Sequence, residues 1–229
     1  MAATFFKNNE KEAVMSHTVY LYWSFRSPYS YLAMPKLMAL KENYDVDIVV
    51  RPVFPIAIRK ADFFEKVDPQ WIPYLVRDCK RIADMQGIPF VWPNPDPIVQ
   101  DIETRKISDD QPYIFRLTNL GIAASRKGKG LEFLNEISSL IFSGTADWDK
   151  GDYLKNATSR AGLELDELES EIAQNKESIE AEIEANQAAQ KEAGHWGVPL
   201  MVYKDEPFFG QDRIDVLLWR MKQDGLKEK

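Results

Sequence analysis

Residues Thr18 to Trp23 form an almost uninterrupted run of apolar and β-favouring side chains, and this run restricts the fold more than any other stretch. A strand without alternation is expected to be covered on both faces. Ser27-Pro28 follows closely and marks a helix start, because the Ser27 hydroxyl can accept a first-turn amide and proline suits the first helical position. The helix is expected from Pro28 to about Lys41, with Pro35 inside it, where the lost backbone bond predicts a kink. Asp47 to Val53 reads as a second strand. Strand, helix and strand make a right-handed β-α-β unit with parallel strands, which places the chain in the α/β class.

Ser27 has two readings. A helix start carries unsatisfied N–H groups and roughly half a positive charge, so it favours an anion. If Ser27 turns its hydroxyl outward, it is a neutral donor beside that positive end. The residues alone leave cap and donor both open.

From Phe54 to about Ala193 the periodicity is helical almost throughout. Helices are expected over Asp62–Lys66, Pro69–Gln86, Pro112–Lys127, Leu131–Phe142, Asp152–Ala161 and Glu164–Glu192, the last of them broken or continuous. Short strands Leu200–Tyr203 and Pro207–Phe209, joined by a tight turn, come next. Ile214, Leu217, Leu218 and Met221 then mark a closing amphipathic helix.

At 229 residues with 45% apolar side chains, the chain suits one large domain, or one domain with a sizeable insertion. Its net charge of −7 argues against a nucleic-acid or anionic-membrane surface. Glu164 to Glu192 holds ten Asp/Glu and two Lys, which reads as a solvated helix face. Residues 1–15 show no signal-like apolar core and are read as a mobile tail. No stretch is apolar enough to span a bilayer, so a soluble, cytoplasmic protein is expected. The single cysteine, Cys79, falls on the apolar stripe of a helix and is read as a buried small hydrophobe, which excludes dithiol exchange within the chain. His17 and His195 are too far apart in sequence, and too short of cysteine company, to suggest a zinc site.

Two blocks carry a resemblance. One is Ser27-Pro28-Tyr29-Ser30-Tyr31-Leu32-Ala33, opening a helix after a strand. The other is Gly194-His195-Trp196-Gly197-Val198-Pro199, a short strand, then Phe208-Phe209-Gly210-Gln211-Asp212-Arg213-Ile214-Asp215. Together, and in this order, they resemble the 2-hydroxychromene-2-carboxylate isomerases and the kappa-class glutathione transferases, of the DsbA-like branch of the thioredoxin fold. The resemblance implies a thioredoxin-like unit over residues 16–54 and 194–229, with a large all-α insertion at 55–193. Where disulfide-exchanging members hold C-x-x-C, this chain reads Ser27-Pro28-Tyr29-Ser30.

The implied cofactor is glutathione, its sulfur placed where the first cysteine would sit, with Ser27 as the catalytic residue. Val198 before a cis Pro199 would pair with the cysteinyl amide, and Gln211-Asp212 would hold the γ-glutamyl end. Asp212 is alternatively the N-cap of the last helix. The implied activity is thiolate addition to a small conjugated or aromatic substrate, with ring opening, bond rotation and loss of glutathione; a homodimer is expected. A kappa-like transferase and a non-catalytic thiol or peptide binder are the alternatives. His195 is either a general acid/base or structural, and Arg51, Arg59 and Arg105 are each able to receive an anionic substrate group. Arg51 to Arg59 and the proline-rich Pro93 to Asp101 depart from the usual substrate-side segments, which leaves the substrate open.

Overall fold

The computed structural model describes residues 17–60, 62–101, 103–104 and 106–229; the tail expected over Met1 to Met15 lies outside them. Strands β1 (His17–Trp23) and β2 (Val46–Pro52) are joined by helix α1 (Pro28–Asn43). They pair in parallel, from His17 opposite Val46 to Trp23 opposite Pro52, as the β-α-β reading requires. Hairpin β3 (Leu200–Tyr203) and β4 (Glu206–Phe209) completes a mixed sheet of order β2-β1-β3-β4. Its turn residues, Lys204 and Asp205, have φ of 48° and 64°, the left-handed pair that matches the twist of a two-residue hairpin.

Between the two halves of the sheet lie α2 (Ile56–Arg59), α3 (Phe63–Lys66), α4 (Trp71–Gln86), α5 (Ile114–Arg126), α6 (Gly130–Phe142), α7 (Tyr153–Arg160), α8 (Leu165–Gln174) and α9 (Lys176–Glu192). A 3-10 turn, Gln211–Arg213, leads into the closing helix α10 (Ile214–Gln223). The short α2 was not anticipated, since four residues after a proline are too few to show a helical period. The acidic stretch is broken at Asn175 into α8 and α9. α1 remains helical on both sides of Pro35. Among the described residues no helix is long and apolar enough to cross a membrane.

One face of β1 behaves as the apolar run predicts: Val19, Leu21 and Trp23 are fully buried in the main core with α1, α5 and α6. The other face corrects the expectation of cover on both sides. Tyr22 is packed with Val53, Leu200 and Val202 beneath Ala189 and Ala193, but Tyr20 is 36% exposed. Arg51 covers part of this face instead, its guanidinium 3.9 Å above the Tyr20 ring and donating to the Tyr22 hydroxyl at 3.1 Å. Tyrosines mimic a buried run in sequence while their hydroxyl ends tolerate water and cations.

Leu75, Cys79 and Ala83 form the buried stripe of α4. Burial, with the neighbouring Asp78 carboxylate second, pushes the Cys79 thiol up to about 12. Thiolate is therefore negligible at neutral pH. Native protein is expected to show almost no reaction with an aromatic disulfide reagent, and one thiol after denaturation. Prompt reaction of the folded protein would overturn the burial.

Candidate functional site

Ser27 takes the cap reading, and its hydroxyl proton is turned to the protein rather than outward. Its extended backbone (φ −86°, ψ 113°) stops the chain short of the helix, and its Oγ accepts from the Ser30 amide at 3.2 Å. The same Oγ donates its proton to the Val198 carbonyl oxygen, also at 3.2 Å. A residue at the start of α1 is thus joined to the loop before β3. The Val198-Pro199 peptide bond is cis, as the resemblance implies. Ser30 is buried and does not line the cavity described next.

Ser27 opens onto a cavity of ≈ 310 Å³. Its lining joins the start of α1, with Gly197 and Val198, to a set of aromatic rings. Phe63 stands edge-on to Trp71 (6.0 Å between centroids) and to Trp196 (5.5 Å), with Phe64 beside Trp71. Among the described residues no Asp or Glu lines the cavity, whereas two arginines do. Arg26 is spoken for: it forms a bidentate pair with Asp96 at 3.2 and 3.0 Å, while Trp92 and the Ile98 amide also donate to that carboxylate. Phe64 and Trp92 lie against its guanidinium. Tyr29, on the same wall as Ser27, donates to Asp78 at 2.8 Å, and burial together with that bond raises its hydroxyl pKa. It stays protonated and occupied.

Arg59 differs from Arg26. One terminal nitrogen donates to Gln190 Oε1 at 3.0 Å and the other to the Trp196 carbonyl at 2.8 Å, and its Nε is shielded from solvent without a partner. No carboxylate among the described residues pairs with it. Gln190 is fully buried on α9, and its Nε2 donates to the Gly197 carbonyl at 2.8 Å. One side chain therefore fixes Arg59 on one side and the Val-Pro loop on the other. Asn186, one turn earlier, donates to the Pro52 carbonyl at 3.1 Å, and Gln187 accepts from the Phe54 amide at 3.3 Å. The helix read as a solvated acidic face thus also stitches the segment after β2 to the loop before β3. Amide side chains at i, i+1 and i+4 were its only signal.

His195 is held by contacts within the protein. Its Nδ1 accepts from the Gly197 amide at 2.9 Å, and its ring stacks on Phe209 with centroids 3.8 Å apart. Burial lowers its pKa, which favours the neutral ring such stacking needs. Gly197 is demanded by this contact, because an added Cβ would fall 2.3 Å from the Phe209 ring.

The other candidates are placed apart. Gln211 and Asp212 do not line the cavity; Asp212 is 57% exposed and pairs with Arg213 at 3.1 Å. Asp212 is not the helix cap: α10 begins after Arg213 without a side-chain cap bond. The 3-10 turn does pack on α1, and the Gly210 amide donates to the Pro199 carbonyl at 2.9 Å, so this segment is held against the Val-Pro loop. Arg51 does not line the cavity and is engaged with Tyr20 and Tyr22, and Arg105 lies outside the described residues.

A β-α-β unit closed by an antiparallel hairpin, with a cis-proline loop meeting the helix start, defines a thioredoxin-like protein, here with serine where exchange chemistry needs cysteine. The chain belongs to the DSBA-like thioredoxin domain family, whose model matches residues 18–222. It is similar to the 2-hydroxychromene-2-carboxylate isomerase of Pseudomonas putida, with 23% identity over 201 residues, 86% of this chain and 90% of that protein. The solved structure of a 2-hydroxychromene-2-carboxylate isomerase superposes with a TM-score of 0.65 at 21% identity, covering 90% of this chain and 95% of that one. The cytosolic disulfide reductase DsbM from Pseudomonas aeruginosa, solved with GSH, superposes with a TM-score of 0.58 at 17% identity, covering 90% and 99%. Isomerases and thiol–disulfide enzymes thus share this architecture.

Proposed function

We propose that the chain is a glutathione-dependent isomerase of the 2-hydroxychromene-2-carboxylate type. The observation that carries this is the Ser27 hydroxyl, held between a helix start and the Val198 carbonyl on the wall of an aromatic cavity, in a chain with no cysteine at that turn. The isomerase of Pseudomonas putida, similar over most of the chain, supports the same reading.

The residues suit a cysteinyl thiol ligand. The Val198 carbonyl currently accepts a proton from Ser27, and an incoming amide N–H would compete for that position. Ser27 has one proton, so an amide donating to Val198 frees the hydroxyl to point at sulfur. Its other contact, from the Ser30 amide, leaves Oγ fixed during the change. When bound, glutathione supplies the nucleophilic sulfur for reversible addition to a conjugated carbon. A thiol of pKa about 8.5 must be lowered by about 2 units to be mostly ionised at neutral pH, a preference of about 2.7 kcal/mol. The Ser27 donor and the positive start of α1 both favour the charged form. Gln211 and Asp212, tied to the same loop through Gly210, would receive the charged γ-glutamyl end.

Reduced glutathione at about 100 times its dissociation constant is expected to add about 2.7 kcal/mol of stability, read as a rise in melting temperature. With glutathione present, a hydroxychromene carboxylate should be isomerised without consuming the thiol. Release of a thioether from an aryl halide, with no isomerisation, would instead mark a kappa-like transferase. No binding and no turnover would leave a non-catalytic member of the fold.

A further inference from the structure

Two cavities meet beside Ser27. The one already described holds ≈ 310 Å³, and a second of ≈ 650 Å³ adjoins it. Arg26, Phe64, Trp71 and Leu75 line both, so these side chains form the boundary between them. Ser27 and Trp196 belong to the first alone, Trp92 and Asp96 to the second alone. Arg26 therefore begins beside Ser27 and ends on the far side of that boundary. Its amide donates to the Ser24 hydroxyl at 3.4 Å, and its guanidinium donates to Asp96 at 3.2 and 3.0 Å. Asp96 is fixed in turn, since the Ile98 amide donates to it at 2.9 Å and the Trp92 indole at 3.3 Å. The two charged side chains are only 15% and 26% exposed, so salt screens the pair little. Phe64 and Trp92 add ring contacts, 5.4 and 5.1 Å from the guanidinium carbon. Of the four boundary residues, Arg26 alone can form an ion pair, and pairing leaves it little net charge to offer a ligand. Its effect on the two spaces is steric. Ligand pockets commonly hold about 300–1,000 Å³, which puts the Ser27 cavity at the small end.

We propose that Arg26, braced by Asp96, is the size-selecting partition of this site. It confines a ligand at Ser27 to the smaller cavity and keeps the far end of a longer one out of the larger cavity. The effect of the partition on substrate choice rests on the isomerase reading; the partition itself does not.

The indole N–H resonances of the isotope-labelled full chain locate a ligand, because Trp196 lines only the first cavity and Trp92 only the second. Titration with compact 1-naphthol and rod-shaped 4-phenylphenol, without glutathione, tests the partition. In the unaltered chain the Trp196 and Trp92 resonances should follow separate dissociation constants, and the two phenols should act on Trp196 with similar affinity. In Arg26→Ala, 4-phenylphenol should bind about tenfold more tightly, the value of burying a further ring, with both resonances on one dissociation constant. Binding of 1-naphthol should not change. Arg26→Lys, which keeps a cation for Asp96, should stay close to the unaltered chain. A single shared constant for 4-phenylphenol in the unaltered chain would overturn the proposal, as would no response of Trp196 to either phenol. So would a folded Arg26→Ala with unchanged binding of 4-phenylphenol, which would leave the boundary to Phe64 and Trp71. Should Arg26→Ala not fold, Arg26→Met decides: it keeps apolar bulk but loses the brace, and wild-type selectivity there sinks the partition. Turnover assays with glutathione fail separately. Absence of any isomerisation removes the isomerase reading, while separate constants in the phenol titrations still uphold the partition.

Discussion

Ser27→Ala is expected to lower turnover by about 10²-fold or somewhat less while leaving most glutathione affinity. Loss of one preorganised donor to an oxyanion commonly costs 10²–10³ in rate, and a diffuse thiolate accepts a weaker hydrogen bond. The absorbance of bound thiolate should titrate at higher pH in the variant. Stability should fall too, by about 1 kcal/mol for the lost cap, because Oγ also accepts the Ser30 amide. The two effects are separable. A stability loss with unchanged rate and unchanged thiol titration would make Ser27 a cap and a loop fastener only, since its proton would then stay on the Val198 carbonyl. Ser30→Ala is the control, as that residue is buried behind the cavity wall.

Gln190→Leu is expected to produce the largest stability loss among single changes at the site. The side chain is fully buried, accepting from Arg59 and donating to the Gly197 carbonyl. Leucine removes both bonds and leaves a guanidinium N–H and a carbonyl without partners. Each such orphan costs about 1–3 kcal/mol, less where water enters, so a loss of about 2–3 kcal/mol and a melting shift of roughly 4–12 °C follow. Glutathione affinity should drop with it, because the Gly197 carbonyl adjoins Val198. Gln190→Glu separates packing from charge: it restores the acceptor and gives Arg59 an anion of its own. A carboxylate has no proton for the Gly197 carbonyl, so the loop should stay loosened and glutathione affinity low even where the contact with Arg59 is kept. Wild-type stability in Gln190→Leu would show that the amide is not what holds the loop.

How much of this was visible in the sequence follows from how local each feature is. Ser27-Pro28 declares a helix start within two residues, and the structure places the cap bond there. The Val-Pro loop and the Gln-Asp segment were found through resemblance, and the cis bond agrees with it. Arg59 and Arg51 were indistinguishable, because eight residues of strand and turn decide which face each reaches. Gln190 was hidden by its setting: an amide near the end of an acidic helix reads as solvated until the far side of the helix is known to be covered. Tyr20 misled in the opposite direction, its ring counting as buried surface where Arg51 in fact lies over it. Asp212 looked like a cap because Asp before an apolar helix usually is one, whereas the 3-10 turn carries the helix start one residue further.

The bond from Ser27 to Val198 spans 171 positions, and that from Arg59 to Gln190 spans 131. The first strand pair and α1 can form while the chain is still emerging from the ribosome, since the pairing of β1 with β2 involves only residues 17–52. The cavity cannot: its wall is incomplete until the β3–β4 hairpin has been synthesised and docked beside β1. Such long loop closures come late in folding and slow it. Ligand binding in this chain therefore reports completed folding, and a truncated translation product lacking the hairpin would leave the β1 edge at Tyr20 to Tyr22 unpaired and open to chaperones, with no ligand able to rescue it.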